Sequence, residues 1–502
     1  MRVSVQLSRP TSADAGAILT GRLIPPILLV LAAALTGISR LAAQPSATGT
    51  TALVGGRLID GTGAAPIENP VVILTGDRIV AAGSADRVSI PRDAAVIRVD
   101  GKTIMPGLIE SNGHIIFSGQ TNHSLYWPQR WEDYYEIGAR NLFTNLMQGV
   151  TTIRDTMDPL EVLLRLRAAL NSGLLAGSRL FICGTILNYP GIYNVFGEAT
   201  KTDNPDVQSL PSDQVKRVRE ALELPIRDAA HGRDIVRQYA AQGVDFIKIS
   251  AHNAKVGAQA PPPPVLSTEA LREIVAEAHK HNLRVTTHTE TAEGLRAVLA
   301  AGVDAMEHPA NTGSSVEDTL PDDVVQQIVR QKVYSVPMLV VMEVYMRYLE
   351  HPSRLDDPFY IRHAPADLVQ QARQWVAVQR ESPNVLRNWE NISQVWRRNV
   401  KKLIAAGAPI AMGIDKGTTL NFHESANHVR ELEMYVELGM TPMDAIVSAT
   451  RRGAEILGQE RELGTIEAGK LADVIVVEGN PLERISRLRN VKMVFKGGVR
   501  YK

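Results

Sequence analysis

Short apolar runs alternate with longer amphipathic segments through the middle of the chain. The apolar runs predict strands at 103–109, 150–154, 179–183, 244–250, 283–288, 303–308, 333–338 and 409–415. Helical spacing of apolar residues predicts helices between several of them, at 161–172, 227–242, 267–281, 293–301 and 321–331. Eight strands with crossover helices predict an α/β fold of the (β/α)8 TIM-barrel type.

The two ends of the chain share a different pattern. Brief β-rich runs separated by glycine turns occur at 52–54, 71–74, 78–82 and 95–99, and again at 472–477 and 491–495. They predict a small β-sandwich domain built from both termini, comprising 51–104 and 462–502. The TIM-barrel domain would then span 105–461, with a helical insertion at 342–399.

The first residues have the pattern of an export signal. Arginines precede an apolar core at 27–35, and small residues follow up to Ala43. We expect a signal peptide at 1–43 and a mature protein that is exported, periplasmic and not attached to a membrane, because the core is too short for a comfortable span. The alternatives are an uncleaved N-terminal anchor and a start codon further downstream.

The amino-acid composition limits the binding partners and the kinds of metal site that the protein can have. The 502-residue chain is 44% hydrophobic and 22% charged, with 54 basic and 54 acidic residues and no net charge. This balance gives no bulk attraction for nucleic acid. The single cysteine, Cys183, excludes a disulfide framework and thiolate-clustered zinc. Any metal site must therefore use histidine, carboxylate, lysine or amide groups.

Polar side chains mark the ends of several predicted strands. They are Asn112, His114, Lys248, His288, His308 and Asp415. In a barrel of parallel strands, the carboxyl ends of the strands form one rim, which is where active sites lie. Lysine inside an apolar strand is costly to bury unless it is paired or modified. We therefore expect these six residues to form one site.

Seven motifs resemble those of the amidohydrolase superfamily, in particular its imidazolonepropionase-like and prolidase-like branch. They are 105–109 (MPGLI), 149–155 (GVTTIRD), 246–249 (FIKI), 285–288 (VTTH), 302–308 (GVDAMEH), 413–415 (GID) and 464–473 (GTIEAGKLAD). The resemblance implies a barrel with a flanking β-sandwich and one or two divalent metal ions, commonly zinc. It also implies a metal-bound hydroxide that attacks a small-molecule amide or peptide substrate, or an ester.

The resemblance also implies roles for the residues. His114 would bind the more buried metal, and Asn112 stands where the family usually has another histidine. Lys248 would be carboxylated and bridge two metals. His288 and His308 would bind the second metal. Asp415 would bind metal and carry the proton from the nucleophilic water to the leaving group.

Asn112 is the main departure from the residue pattern of this family, because an amide oxygen is a weaker zinc ligand than imidazole. It leaves three outcomes open: two metals with one held loosely, a single metal, or a metal affinity low enough to change the chemistry. The functional alternatives are a lactone or ester hydrolase, a non-hydrolytic decarboxylase-like or dehydratase-like enzyme, and a metal-poor binding protein.

Other residues are candidates for substrate contact. Tyr189 and Tyr193 lie in an aromatic, glycine-rich loop after the third strand, and Lys416 and His423 follow the last one. A rim position would let Lys416 pair with an anionic substrate group; a solvated lysine is the alternative. The insertion at 342–399 is rich in tyrosine and tryptophan, which predicts a lid, a subunit interface in a homo-oligomer, or an ordinary packed helical hairpin.

Overall fold

A computed structural model of the protein describes residues 49–119, 131–188, 224–250, 266–289, 291–312, 318–357, 361 and 364–502. The predicted signal peptide at 1–43, Tyr189 and Tyr193 lie outside the described residues. Where the structure describes the chain, no helix is long and apolar enough to cross a membrane.

Two sheets are formed by the ends of the chain. The first has the order β5-β4-β1-β6, and the second has the order β19-β18-β17-β7-β2-β3. Their strands are β1 (Thr50–Val54), β2 (Arg57–Leu58), β3 (Ile67–Glu68), β4 (Pro70–Thr75), β5 (Arg78–Ser84), β6 (Ala95–Arg98), β7 (Lys102–Pro106), β17 (Val474–Glu478), β18 (Val491–Lys496) and β19 (Val499–Arg500). Leu53 and Leu74 of the first sheet share a hydrophobic cluster with Val474 and Phe495 of the second.

The predicted single strand at 103–109 is wrong. The chain changes sheet at Gly107: β7 pairs with β17, whereas β8 (Leu108–Gly113) pairs with β9 (Val150–Asp155). Only glycine fits at the crossing, because a Cβ on Gly107 would lie 2.1 Å from Thr151 Oγ1. Apolar character continues through both strands, so periodicity alone does not reveal the break.

The middle of the chain forms two parallel sheets. One has the order β10-β9-β8 and the other has the order β12-β11-β13-β14-β15-β16. Their remaining strands are β10 (Arg179–Ile182), β11 (Leu187–Asn188), β12 (Leu224–Pro225), β13 (Phe246–Ser250), β14 (Arg284–His288), β15 (Ala305–Glu307) and β16 (Tyr334–Val336). The described helices are α1 (Trp131–Met147), α2 (Leu160–Asn171), α3 (Ala229–Gln242), α4 (Thr268–Lys280), α5 (Ala292–Ala301), α6 (Asp322–Gln331), α7 (Val340–Glu350), α8 (Ala366–Arg380), α9 (Val385–Ala405), α10 (Asn427–Glu437), α11 (Pro442–Ser448) and α12 (Arg451–Ile456).

The segment 409–416 lies between these two parallel sheets. Ser335 N–H donates to Pro409 O at 2.8 Å on one side, and Ser111 N–H donates to Met412 O at 3.0 Å on the other. The segment makes isolated bridges rather than a continuous ladder, so within the described residues the predicted eighth strand is not a regular strand and the sheet is not shown closed. The α/β architecture is confirmed, and the closed barrel stays a prediction.

Candidate active site

Four of the six predicted site residues lie at or just after the carboxyl ends of parallel strands. Asn112 is in β8 and His114 follows it, His288 ends β14, and His308 follows β15. Lys248 is in the middle of β13, and Asp415 is in the linking segment 409–416. Asn112, His114, Lys248, His288 and His308 are buried, whereas the Asp415 side chain keeps 14% of its surface exposed. Strand order therefore gathers residues that are about 300 positions apart in the chain.

Asp415 is the centre of this cluster. His114 Nε2 lies 2.9 Å from Asp415 Oδ1, and His308 Nε2 lies 3.9 Å from Asp415 Oδ2. The His288 ring is 4.7 Å from the His308 ring, measured between centroids. Burial alone would raise the pKa of Asp415, but the hydrogen bond with His114 and the charges of His308 and Lys248 lower it to about 2. The carboxylate is therefore ionised at neutral pH.

Three residues around the carboxylate have left-handed backbone conformations. His308, Met338 and Asp415 have φ angles of 56°, 57° and 55°. Residues other than glycine rarely adopt this backbone conformation. Such strain is found where the surrounding structure imposes a particular orientation on the residue. His308 and Met338 follow the ends of β15 and β16, and Asp415 directly precedes the bridged residue Lys416.

Asn112 presents its NH2 group to Asp415. Nδ2 is 3.4 Å from Asp415 Oδ1 and 2.8 Å from Met338 Sδ, while Oδ1 contacts the Thr156 hydroxyl. A carboxylate and a thioether only accept hydrogen bonds, whereas a hydroxyl can donate or accept. The neighbours therefore favour this amide orientation, in which the oxygen is engaged by Thr156. The role of Asn112 as a metal ligand stays a prediction.

Lys248 belongs to a buried ionic network that the sequence did not reveal. Its Nζ contacts Glu307 Oε2, and Arg154 Nη1 lies 2.9 Å from Glu307 Oε1. Thr286 Oγ1 donates to the same carboxylate at 3.1 Å. Burial, followed by the charge of Arg154, lowers the pKa of Lys248 to about 7. Charged residues inside the apolar motifs 149–155 and 302–308 were the available signal for this network.

Lys416 and His423 are buried, and His423 Nε2 lies 3.1 Å from the His114 carbonyl oxygen. Lys416 Nζ donates to Gln148 Oε1 at 3.2 Å, and His423 Nδ1 lies 2.8 Å from Asn145 Nδ2. His423 Nε2 also faces the carbonyl oxygen of Phe117 at 2.8 Å. The predicted rim position of Lys416 is therefore corrected to a buried one. Substrate contact by either residue stays a prediction, as it does for Tyr189 and Tyr193.

Aromatic side chains of the insertion border the cluster. The Trp396 ring of α9 meets the His308 ring edge-on, with 5.9 Å between centroids. The Tyr345 ring of α7 stacks on the Trp389 ring, with 4.7 Å between centroids, and its centroid lies 5.7 Å from that of Trp375. Tyr345 is hydrogen bonded to Thr419 and is close enough to Asp415 for that charge to add to the effect of burial on its pKa. The insertion thus reaches the site.

The cluster contains residue types that bind divalent ions, but the described side chains are not spaced as a ready metal site. Imidazole and carboxylate groups are the usual zinc donors, and His288, His308 and Asp415 supply them together. Near His114, the Asn112 oxygen is already engaged by Thr156. In the parts of the chain that the structure describes, no group of three or more histidine, cysteine or acidic side chains is arranged to hold a metal ion.

The Amidohydrolase family model matches residues 103–500. The chain therefore belongs to the amidohydrolase family, as the motifs predicted. It is 25% identical over 483 residues to ochratoxinase of Aspergillus niger, covering 90% of this chain and 86% of that protein.

Among solved structures, a Xaa-Pro dipeptidase with bound methionine is 25% identical with a TM-score of 0.70, covering 90% of this chain and 100% of that chain. Molinate hydrolase is 25% identical with a TM-score of 0.73, covering 91% and 95%.

Proposed function

We propose that the protein is a metal-dependent hydrolase that cleaves an amide-type C–N bond in a small amide or peptide. Family membership and the hydrolases among its relatives support this reaction class. The observation that carries the proposal is the position of the Asp415 carboxylate, which is held between His114 and His308 where parallel strands end. A surface ion pair would not need such burial or such strained turns.

Asp415 supplies the proton transfer. Its carboxylate would accept a proton from the attacking water and return it to the leaving nitrogen, a role that requires hydrogen-bond reach to both groups. His114 and Asn112 hold one carboxylate oxygen, Oδ1, through hydrogen bonds. The other oxygen, Oδ2, faces His308.

We assign His288, His308 and Asp415 as the residues that would hold one metal ion, which we propose is zinc. When bound, the ion would supply Lewis-acid activation of water at neutral pH.

We propose that Lys248 is not carboxylated. Its Nζ already contacts the buried Glu307 carboxylate, which would repel the negative charge of a carbamate. Addition of ¹³C-bicarbonate to the purified protein tests this point, because a carbamate carbon signal in the NMR spectrum would contradict it.

A metal-poor binding protein is the second candidate, and the engaged Asn112 oxygen favours it. Metal content of the purified protein, with hydrolysis of dipeptide, N-acyl amino acid and lactone panels before and after chelation, separates the two. We expect about one zinc per chain and amide hydrolysis that is lost on chelation and restored by zinc. Full activity without metal would overturn the metal dependence, and lactone turnover alone would favour the ester-hydrolase alternative.

Three further features remain proposals. We propose a closed (β/α)8 barrel with a flanking β-sandwich, and export to the periplasm with cleavage after Ala43. The two terminal sheets that share a hydrophobic cluster support the sandwich.

N-terminal sequencing of protein recovered from the periplasm tests the export. A homo-oligomer through the insertion is tested by sedimentation velocity.

A further inference from the structure

We propose that Trp396 binds substrate through its indole N–H, within an aromatic wall that selects amides carrying a flat aromatic group. This inference rests on the proposed amide hydrolysis and names a substrate class for the same site. It assigns the helical insertion a role in specificity, beyond lid, interface or packing.

Trp396 has a buried donor for which the described residues offer no acceptor. The residue is 1% exposed, and its Nε1 has no hydrogen-bond partner among them. An indole nitrogen can only donate, and buried tryptophan N–H groups usually find an acceptor. The ring lies beside His308, one of the residues assigned to the reaction. An oxygen atom of a substrate bound at that histidine would complete the hydrogen bonding of Trp396.

The neighbouring aromatic rings form the wall. Trp389 and Trp396 are seven residues apart on α9, about two turns, so they share one face of the helix. Trp396 faces His308, while Trp389 stacks on Tyr345 with an angle of 13° between the rings. Tyr345 in turn is close to Asp415. The wall therefore extends from His308 toward Asp415.

The character of the wall fits a flat apolar group with an acceptor oxygen. Tyr345, Trp375 and Trp389 are only partly buried, so their surfaces are not consumed by packing within the insertion. Ligand sites are mostly apolar with a few well-placed polar groups, and Trp396 Nε1 is such a group. An aromatic acyl group gains ring stacking here that a saturated ring of similar size does not.

Trp396→Phe tests the donor, because it keeps a ring and removes the N–H. We expect KM for N-benzoylglycine to rise about 3- to 10-fold, the range for one hydrogen bond, with little change in kcat. The melting temperature should not fall, because an unsatisfied buried donor is removed. An unchanged KM, or a lower melting temperature with a loss of kcat, would overturn the role of Trp396. Val378→Ala, at an exposed position of α8, is the control and should change neither parameter.

Trp389→Leu tests the wall with two substrates that share their glycine half. We expect a loss of kcat/KM of about tenfold for N-benzoylglycine, the upper range for an aromatic pair, and a loss below threefold for N-cyclohexanecarbonylglycine. Equal losses would overturn the selection of flat groups.

Absence of turnover for every amide would count against the proposed function rather than this inference. Calorimetric binding of the same two compounds then decides: weaker binding of N-benzoylglycine to Trp396→Phe supports the inference, and unchanged binding overturns it.

Discussion

Asn112 Nδ2 lies 3.4 Å from Asp415 Oδ1, so a neutral amide donor contacts the carboxylate oxygen that also binds His114. The two residues are 303 positions apart in the chain. Their contact joins β8 to the segment 409–416, and it places Asn112 as a hydrogen-bonding partner of the acid.

Replacing Asp415 by asparagine should abolish most turnover. The amide cannot accept a proton from water, and loss of a general base costs about 10²- to 10⁴-fold in rate. Steady-state kinetics of Asp415→Asn, with metal content and circular dichroism, measure the effect. The exposed Asp86→Asn is the matched control. Activity within a few-fold of the parent protein would refute the assigned role of Asp415.

Thr156→Val should lower kcat by about 3- to 10-fold, because it removes the hydrogen bond that holds the Asn112 oxygen. Without the Thr156 hydroxyl, the Asn112 side-chain amide is free to rotate away from Asp415. Thr152→Val, four residues earlier in β9, is the control, since the Thr152 hydroxyl is buried and has no partner among the described residues. Similar kcat values for the two variants would argue against a positioning role for Thr156.

Asn112→His should increase the metal content above that of the parent protein, because imidazole can bind the ion that the engaged amide oxygen cannot. Elemental analysis of the purified variant provides the measurement. Asn112→Ala should keep the parent stoichiometry. A loss of metal from Asn112→Ala would instead identify the amide as a ligand, and an unchanged Asn112→His would count against a metal position at this residue.

Glu307→Gln should lower the free energy of unfolding by about 3–5 kcal/mol, the range for breaking a buried ion pair. The change leaves Arg154 and Lys248 without their shared counter-charge. Urea denaturation measures the loss. Asp323→Asn breaks the exposed pair with Arg296 and should have a much smaller effect. Comparable losses of unfolding free energy in the two variants would show that the buried network stabilises the fold no more than the exposed pair does.

Glu110 should make the protein less stable as pH rises through neutrality. Burial raises the pKa of Glu110 from 4.5 to about 8, against the opposing effect of N–H donors from Asn112 and Ile414. Between those pH values the folded protein retains a proton that the unfolded chain releases, so stability falls with increasing pH. Glu110→Gln mimics the protonated form and should flatten this dependence in denaturation curves between about pH 5 and 8. An identical slope in both proteins would contradict the raised pKa of Glu110.

Several features of the fold and site were accessible from the sequence. Apolar runs and helical spacing predicted most of the strands and helices of the middle region, and family motifs predicted the family that the match to residues 103–500 confirmed. The break at Gly107 was missed because β7 and β8 are both apolar. The buried positions of Lys416 and His423 were missed because a residue after a strand can turn toward either the rim or a helix.

The sequence by itself determined the order of the elements and the polar residues at strand ends, because periodicity and residue type are local properties. Only the tertiary structure decided that Glu307 pairs with both Lys248 and Arg154, that Thr156 orients Asn112 toward Asp415, and that Trp396 meets His308. These contacts join separate strands and helices. They depend on strand order, turn conformation and helix packing, which no stretch of sequence specifies alone.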